Sequence, residues 1–309
     1  MMEIHPMRKP SAAVVALMAF LLAISSCSGR RPEYAGPRYG TSKKDGGSIP
    51  YSFAVHPLHN PAKLLEAYQP LIDYLNDRLK DARISLEASR DYSAFEEKYL
   101  ARKPDFILPN PWQTLQAMKV GYHVIATAGE PSDFKGIFIV RADSGIKHPA
   151  DLKGKAVSYP APTALAACIM PQFFLHKNGI AVNSEIENRY VGSQESSIMN
   201  VYLGLTIAGA TWPPPWRLFQ HDYPEEASYL EVAWETESLI NNSVMARDDL
   251  PPAMQAQVQT LLTELTETEE GRAILGGMET RRFIAASDGD YDIVRDYISR
   301  FEDLVRRVQ

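Results

Sequence analysis

Cysteine is nearly absent: Cys27 and Cys168 are the only two in 309 residues. Two cysteines so placed give no disulfide framework, so the folded part has to be held by an apolar core. The charge excess of one sign that marks nucleic-acid binders is missing too. Lys and Arg number 32 against 38 Asp and Glu, with a net charge of -6, and a basic footprint is what phosphate backbones require. There is no G-x-S-x-G, no phosphate-binding P-loop and no H-E-x-x-H, so no familiar catalytic constellation is present and no cofactor is expected. No apolar run is long enough to span a bilayer comfortably; the longest, Ala12 to Ile24, has 13 residues.

That run is itself informative. Arg8 and Lys9 precede it and "ISSC" ends it at Cys27. A basic start, an apolar middle and small residues before a cysteine resemble a bacterial lipobox, in which the cysteine is cleaved free and acylated. Residues 1–26 are therefore expected to be a signal peptide and Cys27 the lipidation site. Residues 27–49, "CSGRRPEYAGPRYGTSKKDGGSI", are Gly, Pro, Ser and charge, the composition of a flexible tether. Cys168 lies in "LAACIM" and reads as a small buried hydrophobe, not a nucleophile.

From Tyr51 onwards strands and helices alternate. "YSFAV" reads as a strand. Asn60-Pro61 then reads as a helix cap with proline in the first turn. "ISLEA", "DFILP" and "YHVIATA" read as further strands, and "DYSAFEEKYLAR" as a helix capped by Asp91. The spacing predicts an apolar helix from Pro162 to Asn178, stopped at Gly179. Helices are predicted over 252–265, 269–278 and 291–308, the last with a stripe of Ile293, Val294, Tyr297, Phe301, Leu304 and Val305. Alternating strands and helices imply α/β architecture with parallel βαβ units.

The order of segments "YQPLIDYLNDRL", "DYSAFEEKY", "VRADSGIKHPADLKGKAVSYPAP", "MPQFFLHKNGI", "YVGSQESSIMNVYLG" and "TEEGRAILGGM" then "YDIVRDYI" resembles periplasmic solute-binding proteins of ABC importers. Within these it is similar to the phosphonate- and phosphite-binding branch, over about Tyr51 to Asp303. The resemblance implies the type II periplasmic-binding fold: two α/β lobes, two crossover strands and a ligand cleft between. On that basis lobe one is expected at 50–140 plus 233–309 and lobe two at 141–232, with "GIFIV" and "YLEVAW" crossing between them. It also implies a small, anionic solute, a membrane permease as partner, and a monomer attached to the membrane only through its lipid. A ligand-sensing receptor for a membrane sensor kinase would use the same domain. An enzyme on this scaffold, as in thiamine-pyrimidine synthase relatives, is the third reading.

In open α/β sheets, ligands sit beyond the carboxyl ends of the strands. The loops there supply the candidate ligand residues: His56 and His59 in "HPLHN", Asn110 and Trp112 in "PNPWQT", Thr163 in "PAPTA", and Ser193, Gln194, Glu195 and Ser196 in "GSQESS". Phe134, before the first crossover, and Thr211 and Trp212 in "TWPPPWRLF" complete the set. Relatives carry a serine/threonine cluster where this chain has "PTALAA", so backbone N–H groups are left to do what hydroxyls do there. The two histidines at H-x-x-H spacing have no carboxylate or cysteine pattern beside them, and no metal site is expected. Asn241-Asn242 reads as a turn, with a reach to the hinge as the alternative. The three prolines are expected to fix Trp212 near the ligand and let Trp216 support the following helix.

Overall fold

A computed structural model of the chain describes residues 48–308. The expected signal peptide, residues 1–26, and the expected lipidation site, Cys27, lie outside the described residues. Of the expected tether only Ser48 and Ile49 are described, and Ile49 already pairs with Ala82 as part of the first strand.

Eleven strands occur among the described residues, in two sheets. The first sheet holds β1 (Ile49–Val55), β2 (Ala82–Glu87), β3 (Phe106–Leu108), β4 (Tyr122–Ala128), β10 (Ser243–Arg247) and β11 (Phe283–Ala285). The second holds β5 (Ile137–Arg141), β6 (Ala156–Tyr159), β7 (Glu187–Tyr190), β8 (Ala208–Thr211) and β9 (Leu230–Glu235). Their orders are β11-β4-β10-β3-β1-β2 and β7-β6-β8-β5-β9. β1 pairs in parallel with β2 and β3, and β6 with β7 and β8.

The sheets are mixed, where parallel units alone were expected. Each lobe receives the chain a second time, running the other way. β10 inserts antiparallel between β3 and β4, and β5 lies antiparallel to both β8 and β9. "SVMAR" is short and sits between polar neighbours, so it carries no strand periodicity of its own; its Val244, Met245 and Ala246 are fully buried because strands flank it on both sides.

"GIFIV" and "YLEVAW" both belong wholly to the second sheet. The chain therefore passes between sheets at 129–136 and 236–242, and the boundaries at 140 and 233 fall inside strands. The two passages are tied side by side: Leu239 N–H donates to the Phe134 carbonyl, Thr236 N–H to Gly136, and the Asn241 side chain to the Glu130 carbonyl.

Six helices frame the cleft: α1 (Pro61–Arg78), α2 (Tyr92–Leu100), α3 (Pro111–Met118), α4 (Met170–Lys177), α5 (Gln194–Tyr202) and α6 (Pro213–Asp222). Four of the six starts are capped by side chains. Asn60 accepts from Lys63 N–H, Asp91 from Ala94, Asn110 from Gln113 and Ser193 from Ser196. The predicted helix 162–178 begins later and differently. Residues 160–164 form a turn, Leu165–Ile169 wind as a π-helix, and only then does α4 follow. Pro171 has no N–H to donate, and the wider turn absorbs that gap before regular helix resumes. Gly136 accepts this segment at close range: a Cβ there would lie 2.5 Å from the Ala166 carbonyl oxygen.

The helix Asp292–Leu304 buries Val294, Tyr297, Ile298 and Phe301 in the first lobe's core. Ile293 and Leu304, expected in that stripe, are exposed, because the buried face is centred one position round.

Candidate functional site: a closed cavity between the lobes

The two lobes are closed on each other around a small cavity of about 10 Å³. This is far below the several hundred Å³ of typical drug-sized sites. His56, Tyr92, Asn110 and Asn242 reach it from the first sheet's side. Ala164 to Ala167, Gln194 and Trp212 reach it from the second, and Phe134 from the first passage between sheets. Among the described residues that line it there is no Lys, Arg, Asp or Glu.

Hydrogen bonds fix most of these side chains. His56 follows β1 and is buried; its Nδ1 lies 2.9 Å from the Leu108 carbonyl, which makes Nδ1 the donor and leaves Nε2 as the acceptor. Burial lowers the His56 pKa to about 4, so the ring is neutral at physiological pH. Gln194 Nε2 donates to the Tyr92 hydroxyl at 3.1 Å, and Gln194 Oε1 accepts from Thr211 Oγ1 at 2.8 Å. The Tyr92 proton remains free to donate. Burial pushes the Tyr92 pKa upward, so it stays a hydroxyl.

The backbone of Leu165, Ala166 and Ala167 is the other polar element. These three N–H groups head the π-helix and find no acceptor among the described residues. Such unpaired donors at a helix start carry partial positive charge. Asn242, at the start of β10, is buried, and its side-chain oxygen has no partner.

Behind the cavity lies a latch between the lobes. Asn110 Nδ2 donates to the Thr163 carbonyl at 3.1 Å. Thr163 Oγ1 donates to Glu96 Oε1 at 2.6 Å, and Gln113 Nε2 donates to the same oxygen at 3.0 Å. Burial raises the Glu96 pKa, while Thr163 and Gln113 pull against that shift.

The cleft mouth carries a second set of contacts. Lys63 Nζ lies 2.8 Å from Asp222, which raises the lysine pKa. Glu195 accepts from the Tyr223 hydroxyl at 3.1 Å and from Asn60 at 3.5 Å.

The candidate residues thus divide. His56, Asn110, Phe134, Gln194 and Trp212 line the cavity. Thr211 supports Gln194 from behind, and Thr163 belongs to the latch. His59 lies in an adjoining crevice with Trp212, Asn241 and Glu279; burial, and then Lys63, lower its pKa to about 4. Glu195 sits at the mouth. Ser193 and Ser196 bond to each other at 2.9 Å within the cap of α5. Trp112 faces elsewhere, in a depression with Leu115, Arg295 and Ile298, because the capped start of α3 turns only Asn110 inward.

Tyr92, Asn242 and Glu96 were not among the residues singled out from the sequence. The expected turn at Asn241-Asn242 is instead a buried entry into a central strand. Tyr92 had one signal, its place directly after the Asp91 cap. Glu96 had none.

The two tryptophans of "TWPPPWRLF" part company. Trp212 packs against Phe134, ring centres 5.6 Å apart, across the cavity wall. Trp216 stacks on Phe219 inside a second-lobe cluster with Ile137, Ile139 and Ile198. Pro213 starts α6 directly after Trp212, so the prolines hold the two rings on opposite sides of one turn.

Residues 53–291 match the profile of a known family, the periplasmic substrate-binding proteins of ABC transporters for phosphonate. The chain belongs to that family. It is therefore a solute-binding protein and not an enzyme, with a small-molecule ligand and a permease as its partners. Solved structures agree on the fold. A binding protein of an ABC phosphonate transporter from Pseudomonas aeruginosa superposes with a TM-score of 0.76 at 14% identity, covering 82% of this chain and 87% of its own. A Prochlorococcus marinus relative, PhnD1, solved with methylphosphonate, gives 0.75 at 19% identity over 82% of this chain and 98% of its own. The Escherichia coli periplasmic aliphatic sulphonate-binding protein gives 0.53 at 13% identity, over 82% and 87%.

Among the described residues, no helix is long and apolar enough to cross a membrane, and no group of three or more His, Cys, Asp or Glu is placed to hold a metal ion. Cys168 is buried, and burial pushes its thiol pKa up to about 12, well away from a reactive thiolate.

Proposed function

We propose that the chain captures a small oxyanion of the phosphonate, phosphite or phosphate type in the closed cavity and delivers it to an ABC permease while anchored by lipid at Cys27. One observation carries the ligand class: three adjacent unpaired N–H groups, Leu165 to Ala167, head a helix on an enclosed cavity. Helix starts of this kind hold oxyanions by several short hydrogen bonds together with the helix dipole. The Tyr92 hydroxyl, its oxygen held by Gln194, adds a donor of fixed direction. His56, Phe134 and Trp212 close the walls and exclude water, which strengthens each of those bonds.

The wider acidic groove between α1 and the helix Glu269–Gly277, lined by Glu66, Asp73, Asp77 and Glu270, has the wrong charge for an anion.

Closure follows from the same parts. A solute that bonds Tyr92 and Asn242 from one lobe and the Leu165–Ala167 backbone from the other favours the closed state over the open one. Ligands shift such an equilibrium only by this differential binding. A thermal-shift screen over methylphosphonate, phosphite, phosphate, sulfonates and small amines tests the reading. Stabilisation by the phosphorus oxyanions supports it. Stabilisation by amines or neutral solutes alone contradicts it.

A further inference from the structure

We infer that the cavity selects a tetrahedral oxyanion that still carries one O–H, and discriminates against its fully ionised form and against sulfonates. This rests on the reading of the cavity as an oxyanion site, and it names which oxyanion.

A site built only for a fully ionised anion needs donors alone, because such an anion offers nothing but lone pairs. This cavity also presents acceptors. His56 donates through Nδ1 to the Leu108 carbonyl at 2.9 Å, so Nε2 has only a lone pair to offer. Asn242, 2% exposed, carries a side-chain oxygen with no hydrogen-bond partner. Buried acceptors left facing another acceptor are unfavourable, and a ligand O–H removes that penalty. The remaining polar groups are donors: the three backbone N–H groups and the Tyr92 hydroxyl, whose own oxygen is taken up by Gln194. The set therefore matches a ligand with several acceptor oxygens and one donor.

Charge points the same way. No cation lines the cavity among the described residues. On the elements packed round it, Glu96 and its neighbour Asp91, itself paired with Arg90, belong to α2; Asp133, paired with Arg217 and Arg281, belongs to the first passage between sheets; Glu195 lies at the mouth with the Lys63–Asp222 pair. Arg306 reaches the back of the 162–172 segment, where it donates to the Pro162 carbonyl and to Gln172, each at 2.8 Å. Glu96 holds its place by accepting from Thr163 and Gln113, one residue layer behind Asn110. Helix-start dipoles amount to about half a charge. They balance a single negative charge far better than two.

The test is calorimetric titration of the mature chain with methylphosphonate and with methanesulfonate, from about pH 6 to about pH 9. Methanesulfonate has the same shape and one negative charge but no O–H. The expected result is a methylphosphonate Kd that rises about tenfold per pH unit above the ligand's own second ionisation, and methanesulfonate binding at least about tenfold weaker at pH 6. A methylphosphonate Kd that stays flat or tightens across that ionisation, or methanesulfonate bound equally well, overturns the inference while leaving the oxyanion site standing. Absence of binding by both anions at every pH overturns the oxyanion reading and this inference together.

Discussion

Thr163→Val removes one hydroxyl and keeps the side-chain shape. In the closed structure that hydroxyl donates to Glu96 across the lobe boundary at 2.6 Å. Without it, the buried carboxylate keeps only the Gln113 amide as a side-chain donor. Hydrogen bonds to charged groups contribute about 1.5–3 kcal/mol. This bond exists only when the lobes meet, so its loss falls on the closed state and not on the folding of either lobe. Closure and binding are one equilibrium, so the apparent Kd for methylphosphonate should rise by the corresponding factor, about 10- to 150-fold. Titration calorimetry on both proteins reads the ratio. Urea unfolding of the ligand-free proteins should differ by less than about 0.5 kcal/mol, the usual range away from packed features. A Kd within about twofold of the parent, or a large loss of apo stability, would refute the latch.

Other consequences are equally open to measurement. Trp212→Ala should weaken methylphosphonate binding at least about tenfold while lowering apo stability by less than about 1 kcal/mol; a loss of about 3–5 kcal/mol in urea unfolding would mark the ring as ordinary core. Gly136→Ala drives a Cβ to 2.5 Å from the Ala166 carbonyl and 2.8 Å from the Pro171 ring, and should cost about 1–3 kcal/mol of stability. His56 has its pKa lowered from 6.5 to about 4. The unfolded chain therefore binds the extra proton first, and the stability this neutral ring contributes is full above about pH 6.5 and is lost as pH falls towards 4, by roughly 3 kcal/mol at the limit. Urea unfolding at pH 7 and pH 4.5 should show that slope and His56→Gln should reduce it; an unchanged slope would place the loss elsewhere. Cys27→Ser should move the expressed protein from the membrane fraction to the soluble one.

Much of the fold was legible because local chemistry agreed with it. Asn60 and Asp91 cap helices as their neighbours predict, and the strand-helix alternation gives two α/β halves. The rest depended on partners far along the chain. Ser243–Arg247 is a central strand only because β3 and β4 flank it, and no periodicity in five residues records that. The lobe passages were misplaced by a few residues, since an apolar strand looks the same whichever sheet receives it.

The site was partly readable for the same reason. Loops after strands were the right places to look, and they supplied His56, Asn110, Gln194 and Trp212. Which way a side chain turns inside such a loop is a matter of capping geometry. Asn110 points into the cleft and Trp112, two residues on, does not. Ser193 and Ser196 look like ligand hydroxyls in sequence and spend them on their own helix. Asn242 was hidden because it leads into an antiparallel strand instead of following a parallel one, and Tyr92 because it lies inside the helix start behind the Asp91 cap of the loop after β2.

A crystal structure of the mature chain grown with methylphosphonate tests the central claim most directly. The expected result is closed lobes with the phosphonate oxygens within hydrogen-bonding distance of the Leu165–Ala167 N–H groups and the Tyr92 hydroxyl. Its O–H should face His56 Nε2 or the Asn242 side chain. A closed structure with the ligand elsewhere, or an oxyanion held by a surface lysine or arginine, would contradict it.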